Sequence, residues 1–340
     1  MGLLKITGTI DIGQFWPRGS SDADTVGVQV TLTENPFRFR KNPGGKYQVT
    51  HVFDQASVKG VGGKKYDPIS NNGRIKIRLQ GIDAPELHYH LSTKPKNMTP
   101  EQEAKFKALN AKEYRQYFGE SAAVAAGELL AQTGQSVIPC TVTTEVDLPG
   151  EVCDAYGRFV GDVVVKIKNK NVNLNRWTIE QGWAFPTFYS SMSVELIKTL
   201  LVAAQKGSAK QGSPVKFLQK TMGALDETLV FRKGSGITPD PATDTGPALM
   251  PKLFRRLTEW TILNKSGVTT DSFHKFLTKK KDSCFTLNDF LTQGSNSAPI
   301  RFLNEFIDPD GKINFNPSEI VFRELPSLLL GPDGQPVTQW

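Results

Sequence analysis

Cysteine is scarce in this chain, with three in 340 residues, at Cys140, Cys153 and Cys284. An odd and scattered set excludes a disulfide framework. No apolar run reaches the ~20 residues that span a bilayer as a helix, so no membrane partner is expected. The opening Met1-Gly2-Leu3-Leu4-Lys5-Ile6-Thr7 enters a strand pattern without the apolar core of a secretory leader. Ile6 stands where a myristoylated Gly2 would need serine or threonine. On these grounds the chain is expected to be cytoplasmic, or secreted where a leader has been removed. Histidine is also sparse, and only His88-Tyr89-His90 makes a pair. With no cysteine or third histidine nearby, that pair reads as a surface loop or substrate contact ahead of a transition-metal site.

What is present is a moderate positive balance, +7, which suits a polyanionic partner without specifying one. The length fits one large or two ordinary domains. The most informative stretch is Arg74-Ile-Lys-Ile-Arg-Leu-Gln-Gly-Ile-Asp-Ala-Pro-Glu86. Ile75, Ile77 and Leu79 alternate as one face of a strand, with Arg78 on the other face. The strand ends in a turn carrying Asp83, Pro85 and Glu86. Carboxylates beside a fixed guanidinium suit metal-assisted attack on a phosphodiester. The same residues also make an ordinary edge strand ending in an Asp-x-Pro turn.

Two further segments weigh on that choice. Asp22 and Asp24 in Ser21-Asp-Ala-Asp-Thr25 stand at the mouth of a strand whose Val26, Val28, Val30 and Leu32 alternate. Two apart, they share a side if the chain is extended there. Asp154-Ala-Tyr-Gly-Arg158 is a Gly-containing turn that opens the buried strand Phe159-Val-Gly-Asp-Val-Val-Val-Lys-Ile167 and delivers a second arginine.

In order, D-x-D-T, R-L-x-x-x-D-x-P-E, D-x-Y-G-R and the helix Val172-Asn173 through Gln181-Gly182-Trp183-Ala184 resemble the staphylococcal (thermo)nuclease family over about residues 3 to 210. The resemblance implies an α+β architecture: a five-stranded β-barrel of OB-fold type, a small closed antiparallel sheet, with helices packed round it. It implies a phosphodiesterase cutting DNA and/or RNA to 3′-phosphate products, endo or exo. It implies Ca²⁺ held by Asp24, Asp83 and the backbone carbonyl of Ala84, with Asp22 behind them. Glu86 would activate water, and Arg78 and Arg158 would stabilise the phosphate. The chemistry is consistent, since Ca²⁺ prefers oxygen donors and arginine can bind phosphate oxygens bidentately.

The sequence departs from the family pattern in places. Alanine replaces the glycine of D-G-D-T, which matters if that turn needs a positive φ. The base-stacking aromatics fall in Phe185-Pro-Thr-Phe-Tyr189 in a shifted register; Phe188 and Tyr189 are the candidates for stacking, or for buried packing. Residues 34–73 replace a short turn with an insertion. It is expected to form an extra hairpin or ribbon, whose Arg38, Arg40, Lys41, Lys64 and Lys65 could track a phosphate backbone or form a solvated basic face.

The remainder of the first 212 residues reads as scaffold. One long helical segment is expected over Thr99 to Thr133, a strand over Gln135 to Val146 and a helix over Ser193 to Gly207. Residues 213–340 match no recognised family and are expected to form a smaller, mainly helical mixed domain. Its loop or linker lies at 234–248. Short amphipathic segments follow at Leu249 to Leu263, Thr270 to Lys279, Leu287 to Leu291 and Pro299 to Ile307. A strand at Ile320 to Arg323 echoes Leu229 to Arg232 and is a candidate to pair with it. Asp308-Pro-Asp-Gly-Lys-Ile313 lacks the full ligand set of a calcium loop and reads as a turn. Arg255-Arg256 and Lys279-Lys-Lys281 could help hold nucleic acid, but charge runs of this kind are more commonly solvated faces, and they are read as such. Two alternatives stand beside the nuclease: an inactive nucleic-acid- or protein-binding module, and a nuclease regulated by, or recruited to a protein partner through, the C-terminal domain.

Overall fold

The computed structural model of the chain describes residues 1–60, 63–111, 114–218, 220, 246–324 and 327–340. The first strand, β1 (Gly2–Asp11), buries Leu4, Ile6 and Ile10 on one face. β2 (Thr25–Gln29) follows. The insertion contributes β3 (Phe37–Arg40), β4 (Gln48–Val49), β5 (Ser57–Lys59) and β6 (Lys65–Tyr66). β7 (Arg74–Leu79) buries Ile75, Ile77 and Leu79, and β8 (Ile82–Asp83) follows one turn later. After helices α1 (Pro100–Asn110) and α2 (Gly119–Ala131) come β9 (Val137–Val146), β10 (Phe159–Ile167) and β11 (Lys170–Asn173). Then α3 (Leu174–Glu180), β12 (Phe185–Pro186), β13 (Phe188–Tyr189) and α4 (Val194–Ala209) complete this part.

β1, β2, β7, β10 and β9 pair in a ring that closes on β1. This is the five-stranded barrel, with helices packed around it. One junction corrects the expected antiparallel sheet: β7 and β10 run parallel, with Arg78 opposite Val160. A closed ring with an odd number of strands cannot alternate direction all the way round, so one parallel pair is required.

The insertion is two ribbons rather than one. β3 extends the barrel sheet by pairing with β1 and carries β4 on its outer side. β5 and β6 form a second hairpin. Phe37 and Phe53 pack against Phe159, with ring centroids 5.8 and 5.1 Å away, so the insertion shares the barrel core.

The long helix expected over 99–133 is interrupted. Thr99 caps α1 with Pro100 in its first turn, as the sequence suggests. Tyr114 then exchanges backbone hydrogen bonds with Tyr89 at 2.9 and 3.2 Å, and Phe118 takes a left-handed φ of 69°. These contacts draw the chain to the loop after Glu86, which a continuous helix could not reach.

The C-terminal part contains α5 (Pro251–Lys265), α6 (Phe273–Lys280), β14 (Ser283–Thr286), α7 (Leu287–Gln293), β15 (Arg301–Phe302), β16 (Ile320–Phe322) and β17 (Leu328–Leu330). The amphipathic segment at 299–307 contains β15 followed by a short 3-10 turn, Leu303–Phe306. Asp308–Ile313 is a turn, with Gly311 at φ 88°. The strand expected at 229–232 and most of the loop at 234–248 lie outside the described residues. β16 pairs in parallel with β13 and antiparallel with β14, so one sheet spans the two halves of the chain. β17 pairs with β5, and Trp340 stacks on Phe39 at 4.0 Å. Among the described residues no helix is long and apolar enough to cross a membrane.

Candidate active site

Pairing of β2 with β7 sets Thr25 opposite Arg78. The turn before β2 is closed by Thr25 N–H donating to the Asp22 carbonyl at 3.1 Å. Ala23 in that turn is buried and is not among the positive-φ residues, so the alanine introduces no strain. After β7 the chain reverses at Gly81, whose φ is 78°. A Cβ there would meet the tips of Leu200 and Met192, which can shift, so it is the positive φ that favours glycine. The reversal lets β8 pair with β12, with Asp83 opposite Phe185.

These turns gather the acids. Asp24, Asp83 and Glu86 are all buried. Asp24 Oδ2 accepts the Ala84 N–H at 2.7 Å, and its Oδ1 lies 2.6 Å from Arg78 Nη1. Arg78 Nη2 also donates to Asp83 Oδ1 and to the Ile82 carbonyl. Asp22 Oδ1 accepts the Leu87 N–H at 3.3 Å. Glu86 is fixed by its backbone: its N–H donates to Gln116 Oε1 at 3.0 Å, and its carbonyl accepts the Gln116 N–H at 2.9 Å.

The parallel β7–β10 junction brings the Tyr-Gly-Arg turn alongside. Arg158 Nε donates to Asp154 Oδ2 at 2.7 Å, and Nη1 donates to Thr25 Oγ1 at 3.4 Å. The Thr25 hydroxyl donates in turn to Asp24 Oδ1 at 3.1 Å. A polar chain therefore runs from Arg158 through Thr25 and Asp24 to Arg78. Buried Asn175 stitches the junction, donating to the carbonyls of Gln80 and Gly161, both at 3.0 Å, and accepting the Val163 N–H at 3.1 Å.

A third guanidinium enters from α5. Arg255 Nη2 donates to Asp83 Oδ2 at 3.0 Å, and Nη1 donates to Asp83 Oδ1 at 3.4 Å and to Glu86 Oε1. Arg255-Arg256 is thus not the solvated pair that the sequence suggests. Arg256 grips Asp282 with two nitrogens, at 2.6 and 2.7 Å. Both corrections have one cause: α5 packs its apolar face, Leu253, Phe254, Leu257 and Ile262, into the core, and the arginines reach acids on either side, buried Asp83 and Glu86 and half-buried Asp282.

Burial pushes the Glu86 carboxyl up to about 7, assisted by the charges of Asp83 and Asp24 and opposed by Arg255. Asp22 rises well above the usual carboxylate range through burial and the charges of Glu86 and Asp24. For Asp83, burial acts upward, but Arg255 and Arg78 outweigh it and hold the carboxyl low. Burial disfavours charge on Arg78, yet Asp24 and Asp83 more than offset it and hold its proton more tightly. Burial, then the charge of Asp83, pushes the Tyr189 phenol up to about 12.

The oxygen chemistry of Asp24, Asp83 and the Ala84 carbonyl suits Ca²⁺. The side chains themselves are bridged by guanidinium groups, Asp24 to Asp83 by Arg78 and Asp83 to Glu86 by Arg255. Among the described residues, no group of three or more His, Cys, Asp or Glu side chains is arranged to hold a metal ion.

The remaining predicted positions are dispersed. Phe188 is fully buried in the core, and Tyr189, half-buried, is the aromatic whose phenol feels Asp83, Arg78 and Arg255. Arg38 and Arg40 on β3, and Lys41 just after it, lie beyond β1 and β2 from the site strand β7. Arg40 lies over the Tyr47 ring, 5.1 Å from its centroid. The second ribbon comes closer: Tyr66 lies 6.4 Å from Tyr156, and Arg158 lies over the Tyr156 ring at 5.6 Å. Sequence reasoning missed Gln116, and it weighed Arg255 only as a nucleic-acid contact or solvated charge, not as a partner of the acids. Neither lies in a motif, and Arg255 is 169 positions from the Glu86 it touches.

Residues 76–213 match the family model described as staphylococcal nuclease homologue. This part of the chain is a staphylococcal nuclease-type domain, a nuclease-like or nucleic-acid-binding module. The matched stretch begins inside β7, and β1 and β2 before it supply the two strands and the acid pair that complete the barrel. A search of curated proteins finds no match to the chain.

Proposed function

We propose that this protein is a Ca²⁺-dependent nuclease that hydrolyses phosphodiester bonds of DNA or RNA and leaves 3′-phosphate ends. The observation that carries this reading is the convergence of Glu86, Asp24, Asp83 and Arg78 with Arg158 linked to them through Thr25. Bound Ca²⁺, held by Asp24, Asp83 and the Ala84 carbonyl, would supply positive charge against the phosphate oxygens.

Glu86 accepts the proton of the attacking water, a role suited to a carboxyl raised to about 7. The water oxygen bonds to phosphorus as the bond to the 5′ oxygen breaks, and the leaving oxygen takes a proton from solvent to become the 5′-hydroxyl. Arg78 and Arg158 remain charged throughout and neutralise the extra charge of the transition state. Gln116 holds the Glu86 backbone, and Asn175 holds the strands that present the two arginines.

The test is cleavage of end-labelled single-stranded DNA and RNA by the purified chain, with Ca²⁺ and with a chelator, beside Glu86→Ala. Chelator-sensitive cleavage to 3′-phosphate ends, lost in Glu86→Ala, is expected. Full activity in Glu86→Ala overturns the mechanism. Binding without cleavage in the unaltered protein assigns it to the inactive-module alternative.

A further inference from the structure

We propose that Arg255 is an intramolecular competitor of the divalent cation, through which α5 restrains the nuclease site. The inference rests on the reading of Asp83 as a cation ligand. The Arg255 guanidinium spans both oxygens of Asp83, at 3.0 and 3.4 Å, and reaches Glu86 with the same Nη1. Arg78 already occupies one side of Asp83, and a second guanidinium across both Asp83 oxygens competes with a divalent cation, because the two repel each other and draw on the same remaining lone pairs.

Arg255 lies outside the matched residues 76–213, so this contact is supplied by the part of the chain added to the nuclease domain. Its placement is built into the fold. Gln116 uses its amide oxygen to hold the Glu86 N–H at 3.0 Å and its amide nitrogen to hold the Leu249 carbonyl at 2.8 Å, just before α5 begins. Just beyond the other end of α5, Gln102 Nε2 donates to the Gly267 carbonyl at 2.7 Å. Arg256, beside Arg255, is locked on Asp282. The helix is therefore fixed relative to the acids.

The Arg255 side chain itself is 26% exposed, whereas Asp83 is fully buried. The side chain can swing outward by rotamer changes while the helix stays docked. Cation and nucleic acid would favour that outward position together, one by taking the Asp83 oxygens and the other by offering phosphate oxygens to the released guanidinium.

The experiment is calcium titration calorimetry on the full chain, without nucleic acid, comparing the unaltered protein with Arg255→Gln, Arg255→Lys and Arg255→Gln/Asp83→Asn. Arg255→Gln removes the charge and is expected to tighten Ca²⁺ binding roughly tenfold or more, the order expected for removing a full charge a few ångströms from the cation. Arg255→Lys keeps the charge but loses the two-nitrogen fork, and an intermediate gain is expected. It also serves if the glutamine variant does not fold. The double variant is expected to lose the gain. Unchanged or weaker Ca²⁺ binding in both single variants overturns the proposal. Tighter binding without any cleavage of single-stranded DNA or RNA supports the competitor and removes the nuclease reading. Unchanged binding with chelator-sensitive cleavage does the reverse.

Discussion

Gln116 Oε1 accepts the backbone N–H of Glu86 at 3.0 Å in a buried setting. The same amide reaches the Leu249 carbonyl. Replacing it with leucine leaves a buried donor and a buried acceptor unpaired, at about 1–3 kcal/mol for each group left unsatisfied. Gln116→Leu is expected to destabilise the protein by at least ~1 kcal/mol in urea unfolding and to lower cleavage through misplacement of Glu86. Unchanged stability would remove the linking role assigned to this amide.

Arg78→Lys, Arg158→Ala and Glu86→Ala are each expected to reduce cleavage by roughly 10²-fold or more, while circular dichroism stays native. For Arg78 the reason is geometric: it serves Asp24 and Asp83 with separate nitrogens, a fork that lysine lacks. Near-normal rates in Arg78→Lys would show that a point charge is sufficient there.

Asn175→Ala is expected to cost roughly 1–3 kcal/mol, since it strips the Val163 N–H and the Gln80 carbonyl of a buried partner at the parallel junction. Asn173→Ala serves as the comparison. That residue caps α3 with a bond to the Arg176 N–H at 3.0 Å and should cost about 1 kcal/mol. Equal losses in the two variants would argue against a special role for the junction.

Burial pushes the Asp282 carboxyl up, but hydrogen bonds from Arg256 and the charges of Lys252 and Arg256 outweigh it and hold the carboxyl at about 2. A lowered carboxylate stabilises the fold above its unfolded value, 3.8, and that contribution is lost as pH falls through about 2. The contribution above that window is about 2 kcal/mol. The stability gap between the unaltered protein and Asp282→Asn, measured by denaturant unfolding, should therefore be full at pH 6 and shrink as the pH falls from about 4 towards 2. A gap that stays constant over this range would rule out the linkage.

Tyr66 of the second ribbon lies beside Tyr156 and carries Lys64 over its ring at 5.2 Å. A Cβ at Gly157, where φ is 77°, would meet Tyr66 Cβ at 2.6 Å, so the ribbon rests directly on the turn that delivers Arg158. Lys64→Gln/Lys65→Gln is expected to weaken single-stranded DNA binding and to reduce the salt dependence of log K by roughly 0.7 for each phosphate no longer neutralised. Arg38→Gln/Arg40→Gln, on β3 far from the site strand, should change it less. The opposite ranking, read by fluorescence anisotropy across salt, would move the nucleic-acid path to β3.

Local sequence was enough for what local physics controls. Alternation at Ile75, Ile77 and Leu79 fixes a strand with Arg78 on its polar face. Gly81 fixes the reversal that carries Asp83. The Thr99 cap and Pro100 fix where α1 begins. The ordered motifs also identified the nuclease-type domain.

Contacts between distant segments were decided only by tertiary packing. Nothing in residues 99–133 announces that α1 stops at Asn110 and α2 starts at Gly119, because Tyr114 between them pairs through its backbone with Tyr89. Nothing in Arg255-Arg256 separates an arginine bound for buried acids from one bound for water. That distinction comes from the apolar face of α5, which turns Arg255 towards Asp83 and Glu86 and Arg256 towards Asp282. A charged side chain acquires its partner from whichever surface its helix buries against, and a surface assembled from distant segments is not written in any local pattern.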